Sequence, residues 1–360
     1  MTQATPIIIL DEDKAKNNIK KMFDKAKRNN LIFRPHFKTH QSKEIGKWFK
    51  NIGVIKITVS SVDMAIYFIE YGWNDITIAF PFNIHEMDKI NSITDKTIIN
   101  LIVESEETVN YIQKHSKRHL NLFIKIDIGY HRTGIDFKDN KTIDRVINKI
   151  SISKKTSFVG FLGHAGHSYN SRSNEEILNT HKESMSIFKF LKEIYTDNKL
   201  IFSTGDTPTC SIANSFPNIN EIRPGNFVFY DVTQAHITSC NLDDIAISVL
   251  CPIVSKNEQR NELLIYGGGV HLSKDRIYSE KIEKDIFGIL VEQKTQNLSN
   301  FENYISKLSQ EHGTIKVNSE TFNKYKVGDF VEILPIHSCM TANLMKKYKI
   351  KNTNKIISRL

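Results

Sequence analysis

Several things are scarce in this chain, and each scarcity removes a class of protein. Cysteine occurs four times, at Cys210, Cys240, Cys251 and Cys339, with no CxxC pair and no disulfide spacing, so a stapled secreted scaffold is not expected. No long apolar run is present. The longest near the start, Pro6 to Leu10, lacks a basic segment before it and is too short for a signal peptide or a bilayer span. No membrane association is expected, and a reducing cytoplasm is the expected compartment. The formal charge is +9, yet the lysines form no stripe interleaved with aromatics, so nucleic acid is not an expected partner. Internal repeats, a low-complexity linker and a P-loop are also missing.

What remains is an ordinary soluble composition, 25% charged and 40% hydrophobic over 360 residues, enough for two domains or one large barrel. After an N-terminal strand, Pro6–Leu10, and a charged helix capped by Asp11, a rhythm begins. Strand-like runs fall at 31–33, 54–59, 76–79, 97–103, 120–126, 157–162, 200–203 and about 219–222. Helical patterns separate them, and only the last interval is weak, with a short piece over 210–216. Eight alternations over roughly two hundred residues predict a (β/α)8 TIM barrel. An open doubly wound sheet usually breaks into a second domain sooner.

Past Tyr230 short β-like runs follow (235–239, 245–251, 262–266, 313–317, 329–334). They predict a mainly β domain that also takes the N-terminal strand. The expected division is 11–234 for the barrel and 1–10 with 235–345 for the β domain. The basic stretch 346–360 is read as a solvated tail.

Barrel chemistry stands at the C-terminal ends of strands. The first strand runs through LIFRPHFKTH and delivers Lys38 beside Arg34, His36 and His40. Cationic neighbours disfavour a further positive charge, which predicts a nucleophilic amine of the Schiff-base kind. A solvated lysine in a basic loop is the plainer reading of that segment alone. The other strand ends also carry polar loops: KIDIGYHRTG with Asp127, His131 and Arg132, GHAGHSY with His164, His167 and Tyr169, STGDTPT, and EIRPGNFVFYD with Arg223, Gly225 and Asn226. Loops seven and eight are the usual phosphate site of a barrel. A lysine on strand one facing such a site is the layout pyridoxal 5′-phosphate requires. An aldolase-type Schiff base on a phosphorylated sugar would use similar parts. Near the end, LPIHSCMTAN sets His337 and Cys339 two apart. In an extended segment both would face one way, and imidazole plus thiolate suits zinc with positions left open. A buried cysteine beside a hydrogen-bonded histidine is the alternative.

At these segments the sequence resembles the D-threonine aldolase and D-serine dehydratase family, which has the alanine-racemase-type barrel, fold-type III. RPHFKTH, GYHRTGI, GHAGHSY, GDTPT, RPGNFVFYD, EHG and the terminal HSC carry the resemblance across most of the chain. It implies that Lys38 bonds the cofactor and that Arg132, His164 and Tyr169 lie near its ring. It implies Thr207, Gly225 and Asn226 at the phosphate, and His337 and Cys339 on zinc or another divalent metal. Members with HxC resemble zinc-dependent D-serine dehydratases, and those with HxD resemble D-threonine aldolases, so Cys339 points to dehydration of a small D-3-hydroxy amino acid. The alternatives are retro-aldol cleavage, racemisation, and cofactor binding without turnover. A homodimer is implied as well. Two departures stand out: Leu162 replaces a tyrosine expected near the ring nitrogen, and Asp206 occupies the phosphate loop where a small residue is common.

Overall fold

The computed structural model describes residues 4–291 and 302–360. The chain divides into two compact units, Lys20–Gly225 with Leu360, and Met1–Ile19 with Asn226–Arg359. Among the described residues no helix is long and apolar enough to cross a membrane.

The first strand, β1 (Ile7–Leu10), belongs to the second unit. The next strands build the first: β2 (Ile32–Phe33), β3 (Ile57–Val59), β4 (Asp75–Pro81), β5 (Ile98–Val103), β6 (Leu120–Asp127), β7 (Ile135–Asp136), β8 (Thr156–Leu162), β9 (Ile201–Thr204) and β10 (Glu221–Ile222). All except β7, which pairs only with β6, lie in one parallel sheet of order β2-β10-β9-β8-β6-β5-β4-β3. A parallel bridge between His36 and Thr58 joins the two ends of that order and closes the barrel. All eight strand-like runs of the sequence rhythm are barrel strands. Their interior is apolar where side chains meet, as at Ile102, Phe123 and Leu162. Three of the helices between them start on capping hydroxyls: Ser61, Ser105 and Ser173 each accept from the backbone amide three residues on, satisfying a donor the helix itself leaves open.

One polar network crosses this interior. Arg34, 1% exposed, donates from Nε to Glu221 Oε2 at 2.7 Å and from Nη1 to Asp75 Oδ1 at 2.6 Å. Glu221 also accepts from Ser203 Oγ at 2.7 Å, and Ser203 Oγ accepts from Arg223 Nε at 2.7 Å. Arg34 is thus an internal tie and not the free cation beside Lys38 that the sequence suggested.

The second unit is an antiparallel-rich sheet. It contains β11 (Ile247–Asn257), β12 (Glu262–Tyr266), β15 (Gly288–Leu290), β16 (Tyr304–Leu308), β17 (His312–Lys316), β18 (Phe330–Pro335), β19 (Lys347–Ile350) and β20 (Ile356–Ser358), in the order β12-β17-β16-β15-β18-β11-β1-β19-β20. The strands β13 (Ile277–Ser279) and β14 (Lys284–Ile286) form a separate hairpin. Two expectations fail here. Residues 346–360 are not a solvated tail, because β19 lies parallel to β1 and antiparallel to β20, and Tyr348 is fully buried. Nor is 235–239 a strand. Val232–His236 is a helix, started by Asp231 accepting from the Gln234 amide.

Removing Glu221 should expose how much the barrel leans on its internal network. Glu221→Ala leaves buried Arg34 without one of its two carboxylates, and removal of one partner from such a pair costs about 3–5 kcal/mol. Urea unfolding should show a loss of that size; a loss below about 1 kcal/mol would contradict the account.

Candidate active site

Lys38 is carried by a turn between the closing bridge and the helix Lys43–Asn51. From Phe33 to His40 it is the one exposed residue, and the other seven are buried. The reason is local. Phe37 packs its ring 4.9 Å from those of Phe49 and Phe68 and 5.0 Å from that of Trp73, a burial worth on the order of 1.5–3 kcal/mol. The next side chain is therefore turned outward. Thr58 holds both sides of the bridge, accepting from the Phe37 amide at 2.8 Å and donating to Pro35 O at 2.9 Å.

The charges around this rim differ from those expected. Burial, reinforced by Lys38 and Arg223, holds His36 well below the usual histidine range. Burial likewise brings His164 down to about 3, against the pull of its bond to Gly205. Both rings are neutral. His164 Nδ1 lies 2.6 Å from the Gly205 carbonyl, which only accepts, so Nδ1 carries the proton and Nε2 keeps its lone pair. The lasting positive charge comes from arginine. Arg223 donates from Nη2 to Gly163 O at 2.5 Å, and burial lowers it only to about 10. Arg132 sits 5.0 Å over the Tyr130 ring. Asp127 does not pair with Arg132; it accepts from the amides of Gly129, Tyr130 and His131 and meets His131 Nδ1 at 2.9 Å.

Lys125 was missed by sequence reasoning. It is buried on β6, donates to Ile126 O, and is lowered to about 8 by burial and then by Arg223. A lysine inside the apolar run LFIKI was the available signal.

The residues expected at a phosphate are partly gathered. The Thr207 amide meets the Tyr169 hydroxyl at 3.4 Å. A Cβ added at Gly205 would lie 2.6 Å from the Arg223 backbone, and one at Gly225 would lie 3.0 Å from His36 Cβ and O. Both positions need glycine for close approach. Thr204 Oγ1 is buried there without a partner among the described residues. Glycine backbone, an unmet hydroxyl and fixed arginines fit the phosphate end of pyridoxal 5′-phosphate, the cofactor implied by the sequence motifs. Asp206 does not face such a group. It caps the helix Thr207–Ile212, accepting from Thr209 N and Oγ1 and from Ser168 Oγ. Leu162 belongs to the barrel core.

The second unit holds the other constellation. His337 is the N-cap of the helix Ser338–Met345, so the pair is not extended as the sequence reading assumed, and Cys339 already lies in the first turn. Asp231 fixes that turn by accepting from Ser338 N at 3.0 Å. The Asn226 side-chain amide donates to Asp231 Oδ2 at 2.7 Å, Ser338 Oγ at 3.1 Å and Cys339 Sγ at 3.5 Å. That side chain is thereby committed here, which leaves only the backbone of Asn226 for a phosphate. Burial opposes a charge on His337, but Asp275 and Cys339 outweigh it and push the imidazole up to about 11. Among the described residues no group of three His, Cys, Asp or Glu is arranged to hold an ion. An imidazole and a thiol sharing a proton nevertheless fit a borderline-soft divalent ion that replaces it, with further positions open.

Residues 246–350 match the family model described as "Putative serine dehydratase domain", and 10–232 match that of "Alanine racemase, N-terminal domain". D-serine dehydratase of Dictyostelium discoideum is 32% identical over 98% of this chain and 95% of its own length. The solved D-threo-3-hydroxyaspartate dehydratase from Delftia sp. HT23 superposes with a TM-score of 0.89 at 23% identity, covering 100% of this chain and 98% of that one. A D-threonine aldolase from Arthrobacter sp is more distant, at 19% over 63% of this chain and 61% of its own length.

Asp206 gives a pH test. Burial raises its carboxyl from 3.8 to about 6. A raised acid favours the fold while protonated, so stability is lost as pH climbs from about 4 through about 6. Asp206→Asn cannot ionise. Relative to the parent it should gain on the order of 2–3 kcal/mol between about pH 4 and pH 7, read by urea unfolding. A pH-independent difference would refute the assignment.

Proposed function

This chain belongs to the D-serine dehydratase family of alanine-racemase-type barrel lyases, and we propose that it removes the elements of water from D-serine or a similarly small D-3-hydroxy amino acid. The product enamine hydrolyses to a 2-oxo acid and ammonia. The observation that carries the reading is the single outward amine, Lys38, on the barrel's closing turn. Around it lie two neutral imidazoles, His36 and His164, and the fixed cation Arg223.

Pyridoxal 5′-phosphate, when bound, supplies a sink for the charge left at the substrate Cα. A divalent ion held by His337 and Cys339, zinc by donor type, supplies Lewis acidity toward the β-hydroxyl. The rest falls to the chain itself. Thr204, Thr207, Gly205 and Gly225 hold the phosphate end. Arg132 and Arg223 keep the rim positive and so attract an amino-acid carboxylate. Lys38 Nζ, once released, takes the α-proton as general base, a role worth about 10²–10⁴-fold. His36 and His164, being neutral, leave that amine without a competing imidazolium. Tyr169 stands on the Thr207 amide and orders the sixth loop against the seventh. A homodimer and a cytoplasmic setting belong to the same proposal, and light scattering checks the first.

Retro-aldol cleavage needs the same lysine, cofactor and metal, so the products decide. With cofactor and Zn2+ supplied, D-serine should give pyruvate and ammonia, and D-threonine should give 2-oxobutyrate. Glycine and acetaldehyde from D-threonine would make the protein an aldolase instead. Lys38→Ala should lose both the visible absorbance of lysine-bound cofactor and turnover. Cys339→Ala should keep that absorbance and lose dehydration by 100-fold or more. Unchanged absorbance in the first variant, or full activity in the second, would overturn the corresponding assignment.

A further inference from the structure

Asp275 lies outside every segment that the sequence reading singled out. Its Oδ2 stands 3.3 Å from Nδ1 of His337. The same oxygen accepts from Ser273 Oγ at 2.7 Å, and the Asp275 amide donates back to Ser273 Oγ at 3.1 Å. The loop is built to stay where it is. Ser273 is held at φ 67°, in the left-handed region, with its amide on Gly269 O at 3.0 Å. Behind it, a Cβ at Gly268 would lie 2.3 Å from Gln310 O, so the backbone approach there requires glycine. In front, the buried Thr341 donates from Oγ1 to Leu272 O at 3.1 Å, fastening the loop to the helix that starts at His337.

A carboxylate only accepts, so the proton shared in this contact belongs to His337 Nδ1. Once the ring is otherwise deprotonated, the lone pair is left on Nε2, the atom a metal takes when the other nitrogen is engaged by a carboxylate. The backbone of the same residue is fixed from the other side, since Asp231 holds the adjacent Ser338 amide. His337 therefore has its main chain set by one aspartate and its ring set by another.

We propose that Asp275 is the positioning residue of the metal centre, fixing the tautomer and orientation of His337 so that Nε2 is presented together with the Cys339 thiolate. This rests on the reading of His337 and Cys339 as metal donors, and the test keeps the two apart. Full-length, cofactor-loaded protein is stripped of metal and titrated with Zn2+ against a chromophoric chelator. It is then titrated with Co2+, following the thiolate-to-cobalt absorption. Asp275→Ala should weaken Zn2+ binding 10–100-fold, with the cobalt absorption restored at saturation. Asp275→Asn keeps an acceptor for Nδ1 and should recover most of the affinity. A dissociation constant for Asp275→Ala within twofold of the parent would overturn the positioning role while leaving the donors intact. Zn2+ affinity that survives both His337→Ala and Cys339→Ala, or is absent in the parent, would bring down the metal reading and this inference with it.

Discussion

A carboxylate shut away from the surface organises the barrel. Glu221 is fully buried, and its two oxygens are taken by Arg34 on one side and Ser203 on the other. Charge in such a place is tolerated only when its partners are fixed, so strands β2, β9 and β10 have little freedom to slide. The chain of contacts continues outward: Ser203 takes Arg223, and Arg223 takes the Gly163 carbonyl at the foot of the sixth loop. Rim geometry is thus inherited from the interior.

The rim that results carries an excess of one sign. Lys38, Lys125, Arg132 and Arg223 share the neighbourhood, while its imidazoles at His36 and His164 are kept uncharged by burial. Asp206, the acid that sequence logic would count against a phosphate, is turned into a helix cap. Fixed cations, neutral rings and glycine backbone together suit a ligand bearing phosphate and carboxylate groups. The second unit is built on the opposite principle. It offers soft donors, His337 and Cys339, steadied by carboxylates at Asp231 and Asp275.

Periodicity made the barrel legible, because each strand had to be apolar on the side facing its neighbours and each helix had to show its own spacing. All eight runs survive in the fold. The turn that carries Lys38 was legible because Pro35 closes the strand before it. What sequence reasoning missed depends on partners far along the chain. Lys346 to Arg359 read as solvent-loving by composition, yet β1 and the burial of Tyr348 turn it into sheet. Arg34 read as a neighbour of Lys38, but Glu221 and Asp75, at distant positions, claim it. Asp275 carried no local signal, since its meaning comes only from His337. The two-residue spacing of His337 and Cys339 suits an extended segment, whereas the structure has a helix beginning between them.

The pairing of β1 has a consequence for how the molecule is made. Ile8, Ile9 and Leu10 lie beside Tyr348, Lys349 and Ile350, so almost the whole polypeptide separates two neighbouring strands. On the ribosome, the strands of the barrel are all in hand once residue 222 has emerged, and their pairings are mostly between consecutive elements. The strand β1 must instead wait for β11 on one side and, much later, for β19 on the other. Its edge on the β19 side stays unpaired until then, the condition under which chaperones engage nascent chains. The sheet whose strands precede and follow the turn of His337 and Cys339 is therefore completed only once β19 and β20 have been made, after every barrel strand.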